Sequence, residues 1–214
     1  MLETDFIEIF SSNNIECEKI INWFNNNKNN QKKGIIYKDS KQTVDLNTKD
    51  STDISLSLSK LKNDEELSSL FYPLFLNLNN AFNQYIQKYN ILEDIRIEIH
   101  DTFNVQHYKK NQHFKQFHFE SSGFKHRKRI LTWMIYLNNV ENGGNTVFPY
   151  YNYTIQPIEG YILIWPAEFT HTHFGDIVVD EKYIVTGWFD VVNTDIFSTE
   201  NLKVAETNLL YFNV

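Results

Sequence analysis

Mainly β structure with supporting helices is what this 214-residue chain predicts. The expected architecture is an antiparallel sandwich or barrel of the double-stranded β-helix (jelly-roll) kind, with N-terminal helices packed on the sheet. Three observations carry it. From Ile95 the apolar residues recur with period two, Ile95, Ile97 and Ile99 alternating with Arg96, Glu98 and His100, as in a strand with one buried face. Several short strand-like runs follow with no helical pattern between them, which suits antiparallel closure. Ahead of them lies one long stripe of helical period, and the seventeen Phe, twelve Tyr and four Trp of the chain suit strand-rich packing.

Taken in order, residues 15–24 carry Ile20, Ile21, Trp23 and Phe24 on one side of a short amphipathic helix. Residues 25–30 are almost all Asn and read as a solvated loop. Residues 41–53 are polar and are expected to be irregular, and residues 54–58 alternate as a short half-buried strand. Residues 65–89 form the clearest helix, with Leu67, Leu70, Phe71, Leu74, Phe75, Leu78, Phe82 and Tyr85 on one stripe. Asp64, Glu65 and Glu66 favour its N-terminal end, Pro73 predicts a start or kink there, and the whole helix reads as a prop laid on the outside of a sheet. Strands are expected at 104–108, 117–120, 130–137, 161–165 and 183–189. Gly143-Gly144 and Gly160 supply turns between them. Leu209, Leu210, Tyr211 and Phe212 in the tail 198–214 are expected to pack back onto the core.

At 42% hydrophobic, the chain can bury one sizeable core and is short for two. A single domain over 1–214 is expected, with helices and a short strand at 1–94, the jelly-roll core at 95–192 and a tail at 193–214. The net charge of -7 argues against a surface that tracks phosphates. Cys17 is the only cysteine, so neither an internal disulfide nor a thiolate cluster is open to the chain. The N-terminal residues lack the pattern of a signal peptide, and no stretch approaches the roughly 20 apolar residues that span a bilayer. A cytoplasmic, reducing location is the expectation.

Chemistry concentrates in Gln116-Phe117-His118-Phe119-Glu120, Thr170-His171-Thr172-His173-Phe174-Gly175 and Glu181-Lys182-Tyr183. In a strand, residues two apart share a face, so His118 and Glu120 can reach one ion while Phe119 turns away. Two imidazoles and a carboxylate, a close pair plus a distant third, are the ligand set of non-haem Fe(II) oxygenases. His171 and His173 are also two apart and would share a strand face, so the residues alone leave the third ligand open. Lys125, Arg127, Lys128 and Arg129 form a basic patch read as a solvated loop, which could also gate the site or meet an acidic substrate. His100, His107, His113 and His126 read as surface or satisfied core histidines.

The ordered segments extend further: Tyr108 ahead of His118-Phe119-Glu120, then Ile135-Tyr136-Leu137-Asn138, the turn 143–149, residues 157–160, Trp165-Pro166-Ala167, residues 170–175 and finally residues 182–188 through Trp188. In that order they resemble the 2-oxoglutarate- and Fe(II)-dependent dioxygenases of the prolyl 4-hydroxylase type, especially compact versions from phage and other viruses. The resemblance implies iron ligands at His118, Glu120 and His173. His173 is favoured over His171 because the family's distal His is followed by one residue and then Gly. Glu120 departs from the Asp most of the family carries at that position, although a carboxylate is kept. Lys182 matches the basic residue that pairs with the distal carboxylate of 2-oxoglutarate, a buried anion in need of a charged partner. Tyr108 and Thr146 match hydroxyl donors to the same carboxylate, with Tyr136 a further candidate, and Trp188 matches an aromatic near the iron that contacts substrate, unless it is simply core.

The implied cofactors are Fe(II), 2-oxoglutarate as cosubstrate and O2, with ascorbate as a candidate reductant. The implied reaction hydroxylates an unactivated C–H bond, with a prolyl residue of a peptide or protein as first substrate. Alternatives are another amino acid or small metabolite, a nucleic-acid demethylase, which the acidic charge disfavours, and a non-redox cupin-like binding protein, which has no use for Lys182 in this register. Neither membrane nor nucleic acid is an expected partner.

Overall fold

The structure is a computed structural model and describes residues 5–38 and 41–192. The expected tail at 198–214 lies outside the described residues. Chain order begins with β1 (Glu8–Ser11), α1 (Cys17–Asn26), β2 (Lys32–Lys33), β3 (Ile36–Lys38), β4 (Lys41–Thr43), β5 (Lys49–Asp50) and β6 (Thr52–Ser57). Two helices follow, α2 (Leu58–Lys62) and α3 (Glu65–Lys88). Then come β7 (Ile97–Ile99), β8 (Thr102–Tyr108), β9 (His113–His118), β10 (Arg129–Tyr136), β11 (Thr146–Phe148), β12 (Tyr153–Ile155), β13 (Tyr161–Pro166), β14 (His173–Gly175) and β15 (Lys182–Val191).

Among the described residues the strands build a large sheet in the order β1-β13-β10-β15-β8-β6-β2, with β7 also on β15, and a smaller sheet β12-β11-β14-β9-β5. Every pairing between them is antiparallel. This is the jelly-roll arrangement. One apolar cluster fills the space between the large sheet and the helices, and a second lies inside the β-helix around Tyr136, Phe148, Leu163 and Trp165.

The helical stripe does what its period requires. Asp64 caps α3, its carboxylate accepting from Leu67 N at 3.1 Å. Phe71 and Phe75 meet Phe103 edge-on at 5.4 and 5.1 Å between ring centres, and Phe82 stacks on Phe189 at 4.3 Å. Burial of each such ring contributes roughly 1.5–3 kcal/mol, so α3 is held to the back of the large sheet by its aromatic face. Of the start or kink expected at Pro73, the start does not occur: the helix begins at Glu65, near where the sequence places it, and runs on through the proline. Eight residues of helix already precede that position, and the Asn77 amide donates back to the Pro73 carbonyl at 2.7 Å.

Two further expectations need correction. Residues 41–53 are not irregular, since they hold β4, β5 and the start of β6. Their partners are distant, β5 on β9 and β6 on β8, so local composition gives little sign of them. The buried Lys49 this creates is paired with Asp53 at 2.8 Å, which also accepts from Ser51 at 2.8 Å. The strand expected at 117–120 ends at His118, and Glu120 lies in the turn beyond it, where Glu120 N and Ser121 N both donate to Ala167 O.

No helix among the described residues is long and apolar enough to cross a membrane. Gly187 of β15 lies opposite Trp133 of β10 in the large sheet, and an added Cβ there would lie 2.4 Å from the ring of the fully buried Trp133. Alanine ordinarily strengthens a strand relative to glycine. Here Gly187→Ala is expected to lower stability by about 1–3 kcal/mol through overpacking, read from the denaturant midpoint.

Candidate metal centre

β9 and β14 are neighbours in the smaller sheet, and their register sets His173 opposite His118. The pairing is irregular between His173 and Gly175. β9 is distorted enough for the His118 ring to stack on that of Phe114 at 3.9 Å, a contact that residues four apart in a regular strand cannot make. The two imidazoles come to 4.3 Å between ring centres. Glu120 reaches back from the turn, its Oε1 3.5 Å from His118 Nε2 and 3.6 Å from His173 Nε2. The extra methylene of Glu and the turn together replace the shared strand face expected from the sequence.

Protonation follows from the outer partners. His118 Nδ1 faces the Gln116 carbonyl at 2.8 Å and His173 Nδ1 the His171 carbonyl at 3.0 Å. A carbonyl only accepts, so each Nδ1 carries a proton, and in the neutral form of each ring the Nε2 lone pair turns inward. In that form two lone pairs and a carboxylate oxygen converge within 4.8 Å of one another. A cation relieves that repulsion. An ion held by all three would draw the donor atoms closer than the 3.5 and 3.6 Å seen between Glu120 and the imidazoles. Protonated at Nε2 as well, the same rings become donors to Glu120: burial opposes its charge, yet hydrogen bonds from His118 and His173 and their positive charge hold its carboxyl well below the usual carboxylate range. Burial and the neighbouring His118 both push His173 down, which keeps its ring neutral and available as a ligand.

His171 is elsewhere. It sits in a short 3-10 turn rather than sharing a strand with His173, its Nε2 at 2.7 Å from the Asp5 carbonyl and its Nδ1 at 2.9 Å from Thr170 Oγ1. The remaining histidines match the reading of surface or satisfied core residues only in part, since His107 Nε2 and His113 Nδ1 are buried without a hydrogen-bond partner. His100 pairs with Asp190 at 2.7 Å, the buried His107 stacks on Tyr183 at 4.0 Å, and His126 meets Tyr37 edge-on at 4.7 Å.

A cleft of about 1470 Å³ opens onto the cluster and reaches Lys182 and Thr146 further in. Lys182 opens β15 opposite Tyr108 of β8 and is 4% exposed. Its Nζ donates to the Gly144 carbonyl at 2.5 Å and lies 5.3 Å from the Tyr136 ring centre and 5.8 Å from that of Tyr108. Gly144 has φ +68°, a conformation that suits glycine. Thr146 Oγ1 and Tyr136 Oη share a hydrogen bond of 2.7 Å. The Tyr108 hydroxyl instead donates to Gln106 Oε1 at 2.9 Å, within a polar network that runs through Asp53 to Lys49. Burial, with the charge of Asp53 adding to it, pushes the Tyr108 phenol well above its ordinary value.

Trp188 stands at the cluster, its Nε1 donating to Glu120 Oε2 at 2.9 Å. Arg129 is the residue sequence reasoning missed. Read as part of a solvated loop, it is in fact 10% exposed, with Nη1 at 3.4 Å from Glu120 Oε2 and its guanidinium carbon 3.5 Å from the centre of the Trp188 ring. The signal was its place directly before the apolar run of β10, whereas Lys125 and Arg127 belong to the exposed loop.

A β-helix of two antiparallel sheets with a His-Glu-His acceptor set in its cleft is the scaffold of non-haem Fe(II) oxygenases. Residues 103–190 match the family model of the 2OG-Fe(II) oxygenase superfamily. The chain is thus a 2-oxoglutarate-dependent dioxygenase, of a family that uses Fe(II), 2-oxoglutarate and O2. No curated protein matches it in sequence.

Solved structures share the fold. A viral collagen prolyl hydroxylase from Paramecium bursaria Chlorella virus-1, in complex with 2-oxoglutarate, is 18% identical with TM-score 0.60, covering 88% of this chain and 97% of that one. A Trichoplax adhaerens prolyl hydroxylase, in complex with a hypoxia inducible factor peptide fragment, is 17% identical with TM-score 0.66, covering 89% and 86%. A Pseudomonas putida prolyl-4-hydroxylase is 12% identical with TM-score 0.61, covering 88% and 94%. At these identities the likeness is one of fold.

Burial also pulls the Lys182 ammonium down to about 8, against the opposing charge of Asp176. Its pKa is thus lower folded than the usual value of about 10.4 for an unfolded chain. Between those values the unfolded chain holds the proton and the folded one does not, so this group's contribution to stability rises with pH there. Below pH 8 both states are charged and the folded state bears the cost. Lys182→Met is therefore expected to stabilise the ligand-free protein at pH 7, by on the order of 3 kcal/mol at most, and so to raise its melting temperature, with the gain shrinking as pH rises from 8 to 10. Melting curves across that range check it.

Proposed function

We propose that this oxygenase hydroxylates a prolyl residue of a peptide or protein, with His118, Glu120 and His173 holding the iron. The observation that carries the ligand assignment is the convergence of two inward-facing Nε2 atoms and one carboxylate oxygen within 4.8 Å, each Nδ1 being committed to a backbone carbonyl. When bound, the iron supplies the oxidising chemistry that couples decarboxylation of 2-oxoglutarate to insertion of oxygen into a C–H bond.

The chain's own part is to bind, orient and exclude water. Lys182 is the charged partner for the distal carboxylate of the cosubstrate, since it is buried and its ammonium has only a neutral carbonyl as hydrogen-bond partner. A carboxylate arriving there offsets the burial cost that lowers its pKa. Thr146 and Tyr136 add hydroxyls to the same pocket, and Tyr108 reaches it by redirecting its proton from Gln106. The apolar walls, Trp165 and Phe148 among them, pack directly on His173 and keep the inner face dry. Trp188, half-exposed beside the cluster, is the surface on which a substrate ring would rest.

Support for a prolyl substrate comes from the fold shared with prolyl hydroxylases, one of them in complex with a peptide fragment. The wide cleft leaves room for such a chain. A cytoplasmic enzyme able to keep its iron ferrous fits the single buried cysteine.

The first test is anaerobic titration with Fe(II) and then 2-oxoglutarate. A weak visible absorption band that needs both is expected, and tight metal binding without the band would remove the cosubstrate assignment. In turnover, Lys182→Ala is expected to raise the KM for 2-oxoglutarate by about tenfold or more, consistent with loss of a charge-assisted pair, and to leave iron affinity nearly unchanged. An equal loss of both counts against the role given to Lys182. Succinate release stimulated by proline-rich peptides, and not by free amino acids or small acids, separates the peptide reading from its metabolite alternative.

A further inference from the structure

We infer that Arg129 is a positioning residue that fixes Glu120 as a one-oxygen ligand, acting on the metal only through that carboxylate. The inference rests on the reading of Glu120 as an iron ligand and explains how a Glu can serve there. A free Glu side chain has one more rotatable bond than Asp and could turn both oxygens to an ion or swing away from it.

In this chain the two oxygens have separate surroundings. Oε1 faces His118 and His173. Oε2 faces away from the imidazoles, accepting from Trp188 Nε1 at 2.9 Å and lying 3.4 Å from Arg129 Nη1. The same Nη1 also donates to the backbone carbonyl of Glu120 at 3.2 Å. One guanidinium thus grips both ends of a single residue, which limits rotation along its side chain. With its central carbon 3.5 Å from the centre of the Trp188 ring, it also steadies the indole that makes the other bond to Oε2.

The backbone is shaped for this. The β10–β15 register breaks between Arg129 and Leu131, and an irregularity of that kind re-aims the side chain at a strand end. Arg129 is aimed into the site by it, where a regular β10 would alternate faces without that freedom. With Oε2 held by protein donors, only Oε1 is left for the ion. One coordination position is then taken by the carboxylate rather than two, and the opposite side stays open for cosubstrate and oxygen.

The test reads metal affinity rather than turnover. Mn(II) is titrated into the full-length metal-free protein and free Mn(II) is followed by electron paramagnetic resonance, for the wild type, Arg129→Gln, Glu120→Asp and the double variant. Arg129→Gln is expected to weaken Mn(II) binding about 10- to 100-fold, the usual effect of removing an outer partner of a ligand. Asp at position 120 is too short to span Arg129 and the imidazoles together, so in that background Arg129→Gln is expected to cost less than about threefold, by the non-additivity of residues that act through one another.

The same factor in both backgrounds, or no effect in either, overturns the inference. If Arg129→Gln lacks a cooperative melt, Arg129→Lys carries the comparison. It keeps the charge and loses the fork, with an intermediate loss expected in the Glu120 background only, and an equal loss in both again overturns the inference. His118→Ala is the separate control for the ligand set. If that protein binds Mn(II) as tightly as the wild type, the three-ligand reading falls, and the role of Arg129 falls with it.

Discussion

Pairing of β9 with β14 is the constraint on which the site depends. Neither strand is apolar enough to be held by burial alone, and their contact is a short, irregular ladder in the smaller sheet. Yet only that ladder sets His118 and His173 opposite one another, with an Nε2 of each facing the same space. The carbonyls of Gln116 and His171 lie two residues before their respective histidines and take the Nδ1 protons. The backbone that places each ring therefore also sets its tautomer. Without both, the cluster would hold a donor, and the argument for a cation would be lost.

The rest of the fold supports that ladder from behind. α3 seals the outer face of the large sheet with aromatic contacts to Phe103 and Phe189, and Trp133 fills the space against Gly187. Inside the β-helix, charge is admitted only with a partner. Lys49 has Asp53, and Glu120 has two imidazoles with an indole and a guanidinium behind it. Lys182 alone among these has a neutral oxygen, the Gly144 carbonyl, as its hydrogen-bond acceptor. A buried ammonium so placed carries an electrostatic cost that an incoming anion relieves, which is why it marks the cosubstrate pocket and not a structural ion pair.

Glu120 shows how a change of one methylene spreads through a site. The longer side chain lets the residue stand outside the strand, in a turn tied to the Ala167 carbonyl, and still bring an oxygen to the imidazoles. Its second oxygen then needs donors, and Trp188 and Arg129 provide them from two different strands. Residues that look unrelated along the chain, a turn carboxylate, a strand-end arginine and a strand tryptophan, become one unit because a partly buried carboxylate has four lone-pair sites to satisfy.

Period and motif order were legible in the sequence. The stripe of α3, the alternation after Ile95, the turn at Gly143-Gly144 and the three chemistry-bearing segments all depend on neighbours a few residues apart, and local spacing records such relations directly. The family that residues 103–190 match was visible through the same segments. Tertiary structure alone decided what depends on distant partners. β5 and the start of β6 are polar and become strands because β9 and β8 offer them hydrogen bonds. His171 and His173 part company because one ends a 3-10 turn against Asp5 while the other begins β14. Arg129 leaves its basic neighbours for the site because a register break in β10 turns it inward. Spacing along the chain says which side chains share a face. Which faces meet is set by strand pairing across the fold, and a strand carries no local mark of its partner.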